Sequence, residues 1–284
     1  MLCTLKEVLQ QAQREQRAIG SFNVYNMETI HGVVQAAKEK NVPAIVSFGA
    51  SYLKNMTLEE VAVSVRRLTQ TEELPFVLHL DHCKDRAVIR QAIDAGFTSV
   101  MYDGSALPFT QNVENTKAVC QMAHEKNVSV EAELGSLALG DYSNETDIDH
   151  GQQYTDPKSA RVFVEETGVD ALAVSIGTVH GMYRGTPNIR VDLLAEIKQQ
   201  VSVPLVLHGG SGTPEDVIGQ CIQNGICKIN VNTELSQYTM AKTREHLQQE
   251  PNTHFSQLSL LQRTWVKEIV GNYMTLFYGA TMRS

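Results

Sequence analysis

Three histidines carry the strongest chemical signal in this 284-residue chain. His82 follows a short β-rich run in HLDHC, His180 lies just beyond another in SIGTVHG, and His208 ends a third in PLVLHGG. Imidazoles brought from the same end of three strands can converge on one cation, and three histidines with an open fourth position are a common way to hold catalytic zinc. Each histidine alone is more readily a hydrogen-bonded core or surface residue; three at strand ends are less easily explained that way. Asp81 adjoins His82, where a carboxylate beside a divalent cation stays ionised and can exchange a proton with a bound substrate. Its alternative role is to cap the helix beginning near Asp85. Asp103 (MYDGS) and Glu131 and Glu133 (VEAELG) add acids at the same rim. Buried carboxylates are costly unless paired with a cation or hydrogen-bonded, so these suit a second metal position or an outer shell holding the histidines, with capping still open for Asp103. His79, two residues before Asp81, reads as core or support rather than as a ligand.

A second signal is anion binding. Residues 208–215 (HGGSGTPE) and 230–234 (NVNTE) each follow a β-rich run and lead into a helical pattern. Glycines let backbone approach an anion closely, and free N–H groups at a helix start favour negative charge. The plainer reading is a tight turn with Ser211 or Thr213 as cap. A Schiff-base lysine would be another route to carbon–carbon chemistry. The lysines argue against it: Lys228 stands near the start of its run, the wrong end, and Lys84 lies just beyond the histidine motif.

These residues need elements to position them. Eight short β-rich runs occur at 18–24, 43–48, 75–81, 97–102, 128–133, 170–176, 203–208 and 226–231. Between them lie helical patterns: Ile30, Val33, Val34 and Ala37 follow i, i+3, i+4, i+7, as do Leu58, Val61, Ala62 and Val65. Val88, Ile89, Ala92 and Ile93 repeat the pattern, as do Leu193, Leu194, Ile197 and Val201. Strands alternating with helices imply a parallel sheet covered on its outer face, and eight is the number that closes a barrel. An open doubly wound sheet would ordinarily show a Gly-rich first turn, whereas the first run here continues into Asn23-Val24-Tyr25-Asn26. The expected fold is α/β, one (β/α)8 TIM barrel over 1–284 with a C-terminal helical extension at 254–284. Residues 135–156 and 177–190 are longer than ordinary βα connections and both follow strand ends, where a parallel barrel has its active face.

Composition narrows the partners. Twenty-four Lys and Arg stand against 32 Asp and Glu, a net charge of −8, which disfavours nucleic acid. Apolar stretches are only a few residues long, too short for a membrane span. The N-terminal segment lacks the pattern of a secretory signal, so a cytoplasmic location is expected. Five cysteines without a C-x-x-C pair suggest reduced, buried thiols.

With FNVYN, HLDH, GFTSVMYDGS, VEAELG, YTDP, TGVDALAVSIGTVHG, PLVLHGGSG and KINVNTE in order from about Leu5 to Thr243, the chain resembles the class II, metal-dependent ketose-bisphosphate aldolases, which act on fructose- and tagatose-1,6-bisphosphate. The resemblance implies a catalytic Zn2+ on His82, His180 and His208, with Asp81 as proton donor to the leaving alkoxide. It places Asp103 and Glu133 at an alternative metal position. It puts the dihydroxyacetone phosphate portion on Gly181, on Gly209, Gly210 and Ser211, and on Asn230, Val231, Asn232 and Thr233, with Asn23 nearby. It further implies a monovalent cation (Na+ or K+) beside the phosphate loops and a homodimer or homotetramer.

Two departures stand out. Where relatives carry Gly-Gly-x-Glu-Asp in the loop after the fifth strand, this chain reads LALGDYSNE, leaving Asp141 and Glu145 as candidates for the acid/base that serves the dihydroxyacetone carbon. The usual phosphate-contacting lysine is replaced by Arg184, which can bind phosphate bidentately. Rival readings are a metal-dependent TIM-barrel hydrolase and a non-catalytic partner subunit. The first often shows an H-x-H pair on its first strand, absent from AIGSFNV; the second predicts a lost ligand or a lost Asp81, and neither is lost.

Overall fold

The computed structural model describes residues 1–144 and 151–279. Its strands are β1 (Ile19–Asn23), β2 (Ala44–Gly49), β3 (Phe76–Cys83), β4 (Ser99–Tyr102), β5 (Ser129–Leu134), β6 (Ala138–Leu139), β7 (Ala171–Val174), β8 (Val179–His180), β9 (Leu205–Leu207) and β10 (Ile226–Val231). Eight of them close into a parallel barrel in the order β1-β10-β9-β7-β5-β4-β3-β2, and each corresponds to one of the eight β-rich runs. The helices are α1 (Leu5–Glu15), α2 (Met27–Lys40), α3 (Leu58–Thr69), α4 (Arg86–Ala95), α5 (Phe109–His124), α6 (Pro157–Thr167), α7 (Val191–Gln200), α8 (Glu215–Gln223), α9 (Thr233–Gln249) and α10 (Phe255–Gly279).

Strand alternation sorts the side chains into two cores. Outward residues such as Val46, Phe48, Leu78, Leu80, Val130 and Ala132 meet the helix ring, including the patterned faces of α2 and α3. Inward residues Ile19, Ile45, Val77, Ala171, Val206 and Cys227 form an apolar floor with Leu5, Val8, Leu9 and Ala12 of α1, which plugs the lower end. Above the floor the buried residues are polar: Ser21, Ser47, His79, Ser99, Glu131 and Lys228, and then Asn23, Asp81, Glu133, His208 and Asn230 at the mouth. Polar groups thus follow the inward face of every strand that reaches the site.

Two bulges disturb the alternation. In β3, Leu80 pairs with Val100 and Cys83 with Tyr102, so Asp81 and His82 together oppose Met101 alone. His82 adopts a left-handed backbone, φ 45°. A bulge of two residues against one re-aims side chains, and here it lets consecutive residues serve the same mouth. In β10, Ile226 pairs with Leu205 and Lys228 with Val206, leaving Cys227 as the extra residue.

Described parts of the two long connections pair with each other. β6 pairs in parallel with β8, and Asp141 and Met182 exchange both backbone hydrogen bonds, at 2.9 and 2.7 Å. This ribbon zips residues 138–141 to residues 179–182. The C-terminal extension is a long helix, α10, lying along α2 and also touching α9, α8 and β1. Gly32 permits that approach, since a Cβ there would sit 2.5 Å from Val266 Cγ1.

Candidate active site and metal centre

The three histidines predicted to converge do so. Ligand-capable atoms of His82, His180 and His208 all lie within 4.8 Å of one another, and the His82 ring centroid is 4.9 Å from that of His180 and 4.6 Å from that of His208. His82 arrives on the β3 bulge, His208 directly after β9, and His180 on the ribbon strand β8, where its carbonyl accepts from Gly140 N–H at 2.8 Å. His180 Nε2 and His208 Nδ1 are buried and make no hydrogen bond among the described residues. Burial pushes the His180 imidazole well below its usual range, assisted by His82 and His208; burial lowers His208 too, against the opposing pull of Glu131. Two imidazoles held toward the neutral form, each with an unpartnered ring nitrogen, and a third within ligand distance make the donor set a divalent cation requires, so these residues fit zinc.

The acids divide their work. His82 Nδ1 lies 3.0 Å from Asp103 Oδ2, while Asp103 Oδ1 accepts from Ser105 N–H and Oγ at 3.1 and 2.6 Å. Asp103 therefore holds a histidine and makes a local turn at once. Glu131 Oε1 lies 2.9 Å from His208 Nε2, and Lys228 Nζ lies 3.0 Å from Oε1 and 2.8 Å from Oε2. A carboxylate on the far nitrogen fixes the tautomer and directs the other nitrogen to the metal position. Lys228, near the start of its strand as the sequence places it, is buried inside the barrel and pairs with Glu131. Glu133 Oε2 is 3.4 Å from His208 Nδ1, and His82, Asp103 and Glu133 form a second close group of possible ligands.

Asp81 is not a helix cap; Asp85 caps α4 by accepting from Ala87 N–H. Asp81 is buried with its carboxylate held from two sides, by Asn23 Nδ2 at 3.0 Å and Asn230 Nδ2 at 3.2 Å. Burial raises its pKa, but His82 first and Lys228 next outweigh burial and hold it well below the carboxylate range. His79, with Nδ1 2.8 Å from Ser99 Oγ and Nε2 3.7 Å from Asp81 Oδ1, is a buried support, as its position in the run implied.

The cleft above the histidines is lined by Asn23, Asp81, Ser143, Asn144, Gly181, Gly209, Ser211, Asn230, Asn232 and Thr233. Three of the expected substrate positions, Val231, Gly210 and Arg184, are not among the residues lining it. Val231 packs its side chain into the outer core, and Gly210 gives its N–H to Asn230 carbonyl, closely enough that a Cβ would sit 2.7 Å from that oxygen. Asn232 faces the cleft while donating to the Tyr52 hydroxyl at 2.9 Å. Beside Asp81 a second cavity of about 300 Å³ opens among Ser51, Tyr52, Leu53, Lys84 and Val88.

Arg184 and Asp141 were expected to touch phosphate and to move a proton; instead they are paired with each other, Nε to Oδ1 at 2.7 Å, on the exposed rim. Glu145 lies outside the described residues. Sequence reasoning missed Ser143 and Asn144 of the same loop and the Lys228–Glu131 pair. Inward alternation from Glu133 to Glu131 was the available signal for the pair, but the β10 bulge hid the register of Lys228.

A family model described as Fructose-bisphosphate aldolase class-II matches residues 3–281. Among solved structures, the YdjI aldolase from Escherichia coli K12 is 34% identical, with 100% of each chain covered and a TM-score of 0.88. The fructose-bisphosphate aldolase (Fba) of Campylobacter jejuni is 22% identical over 98% of this chain and 95% of that one, with a TM-score of 0.80, a likeness of fold.

Proposed function

Because the chain belongs to the class II fructose-bisphosphate aldolase family, we propose that this lyase carries out metal-dependent, reversible aldol cleavage of a phosphorylated ketose of the fructose- or tagatose-1,6-bisphosphate type, giving dihydroxyacetone phosphate and an aldehyde such as glyceraldehyde 3-phosphate. One observation supports this reading above the others: three imidazoles, that of His208 buried and those of His82 and His180 partly so, meet beside an ionised carboxylate that is itself held by two amides. Zinc held by His82, His180 and His208 would supply the Lewis acidity that polarises the ketone carbonyl.

The remaining steps fall to the chain. Gly209, Ser211 and the start of α9 at Thr233 hold the phosphate of the dihydroxyacetone portion, with Gly181 closing over it. As the C3–C4 bond breaks, Asp81 takes the C4 hydroxyl proton, and it returns that proton in condensation. Asn23 and Asn230 hold Asp81 and keep its carboxylate aimed. The cavity beside Tyr52 accepts the aldehyde portion. The proton on C3 belongs to an acid/base of the loop carrying Asp141 and Glu145.

A panel of phosphorylated ketoses, read by triose phosphate release, tests the proposal. Chelation should abolish cleavage and zinc restore it, while borohydride with substrate should trap no adduct. Full activity in metal-free protein, or a lysine adduct, overturns it.

A further inference from the structure

The glycine loop is tied to an element that no part of the proposed reaction uses. Gly212, in a left-handed conformation at φ +71°, donates its N–H to Glu234 Oε2 at 2.8 Å. The Tyr273 hydroxyl, from the C-terminal third of α10, donates to the same oxygen. Glu234 in turn gives its own N–H to Ser211 Oγ at 3.1 Å. One residue in the first turn of α9 therefore bridges both candidate phosphate loops, and its carboxylate is held from behind by the C-terminal helix.

This arrangement has a chemical consequence at the cleft. A hydroxyl that accepts from Glu234 N–H keeps its own proton to donate, and Ser211 lines the cleft. A carboxylate so near an anion site would repel phosphate unless fixed with its charge turned away, and the Gly212 N–H and the Tyr273 hydroxyl fix it. Burial, with Glu234 next, raises the pKa of Tyr273 and keeps the phenol a donor. Tyr273 is buried on α10, its ring 5.5 Å from that of Phe277, and α10 is anchored on α2.

We propose that Tyr273 is a positioning residue for phosphate binding: through Glu234 it sets the 209–213 loop and aims the Ser211 hydroxyl into the cleft. The inference rests on reading the two loops as the phosphate cradle. It makes α10 part of the substrate-binding apparatus rather than only a cover.

The test uses full-length, zinc-loaded enzyme, with inorganic phosphate as competitive inhibitor and a phosphorylated ketose as substrate. Tyr273→Phe should raise the phosphate Ki and the ketose KM together, by roughly 3- to 10-fold for one lost hydrogen bond, with kcat changed less. Glu234→Gln, which still accepts from Gly212, should give a smaller rise. The double variant should be no worse than Tyr273→Phe alone, because both act through one contact. Unchanged Ki and KM in Tyr273→Phe, equal losses in kcat and kcat/KM, or additive effects overturn the proposal. If phosphate fails to inhibit even the wild type, the cradle reading falls and this inference falls with it.

Discussion

Glu131 and His208 face each other across the barrel interior, carboxylate to imidazole at 2.9 Å, with Lys228 closing the far side of the carboxylate. The pair sets which nitrogen of His208 is left without a hydrogen bond among the described residues. Glu131→Gln should weaken zinc binding about 10- to 100-fold, measured by competition with a chromophoric chelator. It also strands Lys228, and an unpaired buried charge costs about 3–5 kcal/mol. Glu131→Gln with Lys228→Met should therefore be more stable than Glu131→Gln alone in urea unfolding while keeping the zinc defect.

Asp81 is expected to act at the C4 oxygen alone. Asp81→Ala should lower cleavage by about 10² to 10⁴, the usual contribution of a general acid/base. Solvent hydrogen exchange into dihydroxyacetone phosphate should survive, whereas His208→Ala should lose both reactions. An Asp81→Ala enzyme that loses exchange as completely as His208→Ala would contradict the assignment.

The Arg184–Asp141 pair is exposed, and such pairs contribute less than about 1 kcal/mol. A phosphate dianion can displace Asp141 from Arg184 at little cost, which would bind substrate and release a loop carboxylate in one exchange. Arg184→Ala should raise KM more than it lowers kcat. Steady-state kinetics showing no change would leave the pair as a rim contact between the two zipped loops.

His79 is buried and neutral, its pKa lowered to about 4 by burial first and Lys228 second. Below the unfolded-state value near 6.5 the unfolded chain takes up a proton that the native protein refuses. Stability should thus fall as pH drops from about 6.5 toward 4, by roughly 3 kcal/mol from this group, and level off once His79 itself is protonated. His79→Gln should flatten that part of the profile of urea midpoint against pH; an unaltered slope assigns it to other groups.

The barrel and the meeting of its three histidines were legible because both follow strand periodicity. Apolar runs announce the strands, and functional residues sit where each run ends. What stayed hidden depends on departures from that periodicity or on pairing between distant segments. The β3 bulge, not alternation, lets Asp81 and His82 share one face. That Asn23 and Asn230 both donate to Asp81 stayed hidden, because a resemblance of motifs assigns an amide to ligand without showing the carboxylate it also holds. Arg184 and Asp141 were read separately because nothing local joins residues 43 positions apart; only the β6–β8 ribbon brings them together.

The β3 bulge also determines what strain can and cannot disturb. Asp81 and His82 are joined by a single peptide bond, so their spacing is covalent and survives any loosening of the barrel. His180 sits on a two-stranded ribbon whose two halves are joined by a handful of backbone hydrogen bonds. As the protein is warmed or exposed to mild denaturant, the third imidazole should leave first. Activity should then decay as a loss of metal affinity, recoverable by excess zinc, before the acid and its neighbouring ligand lose their alignment.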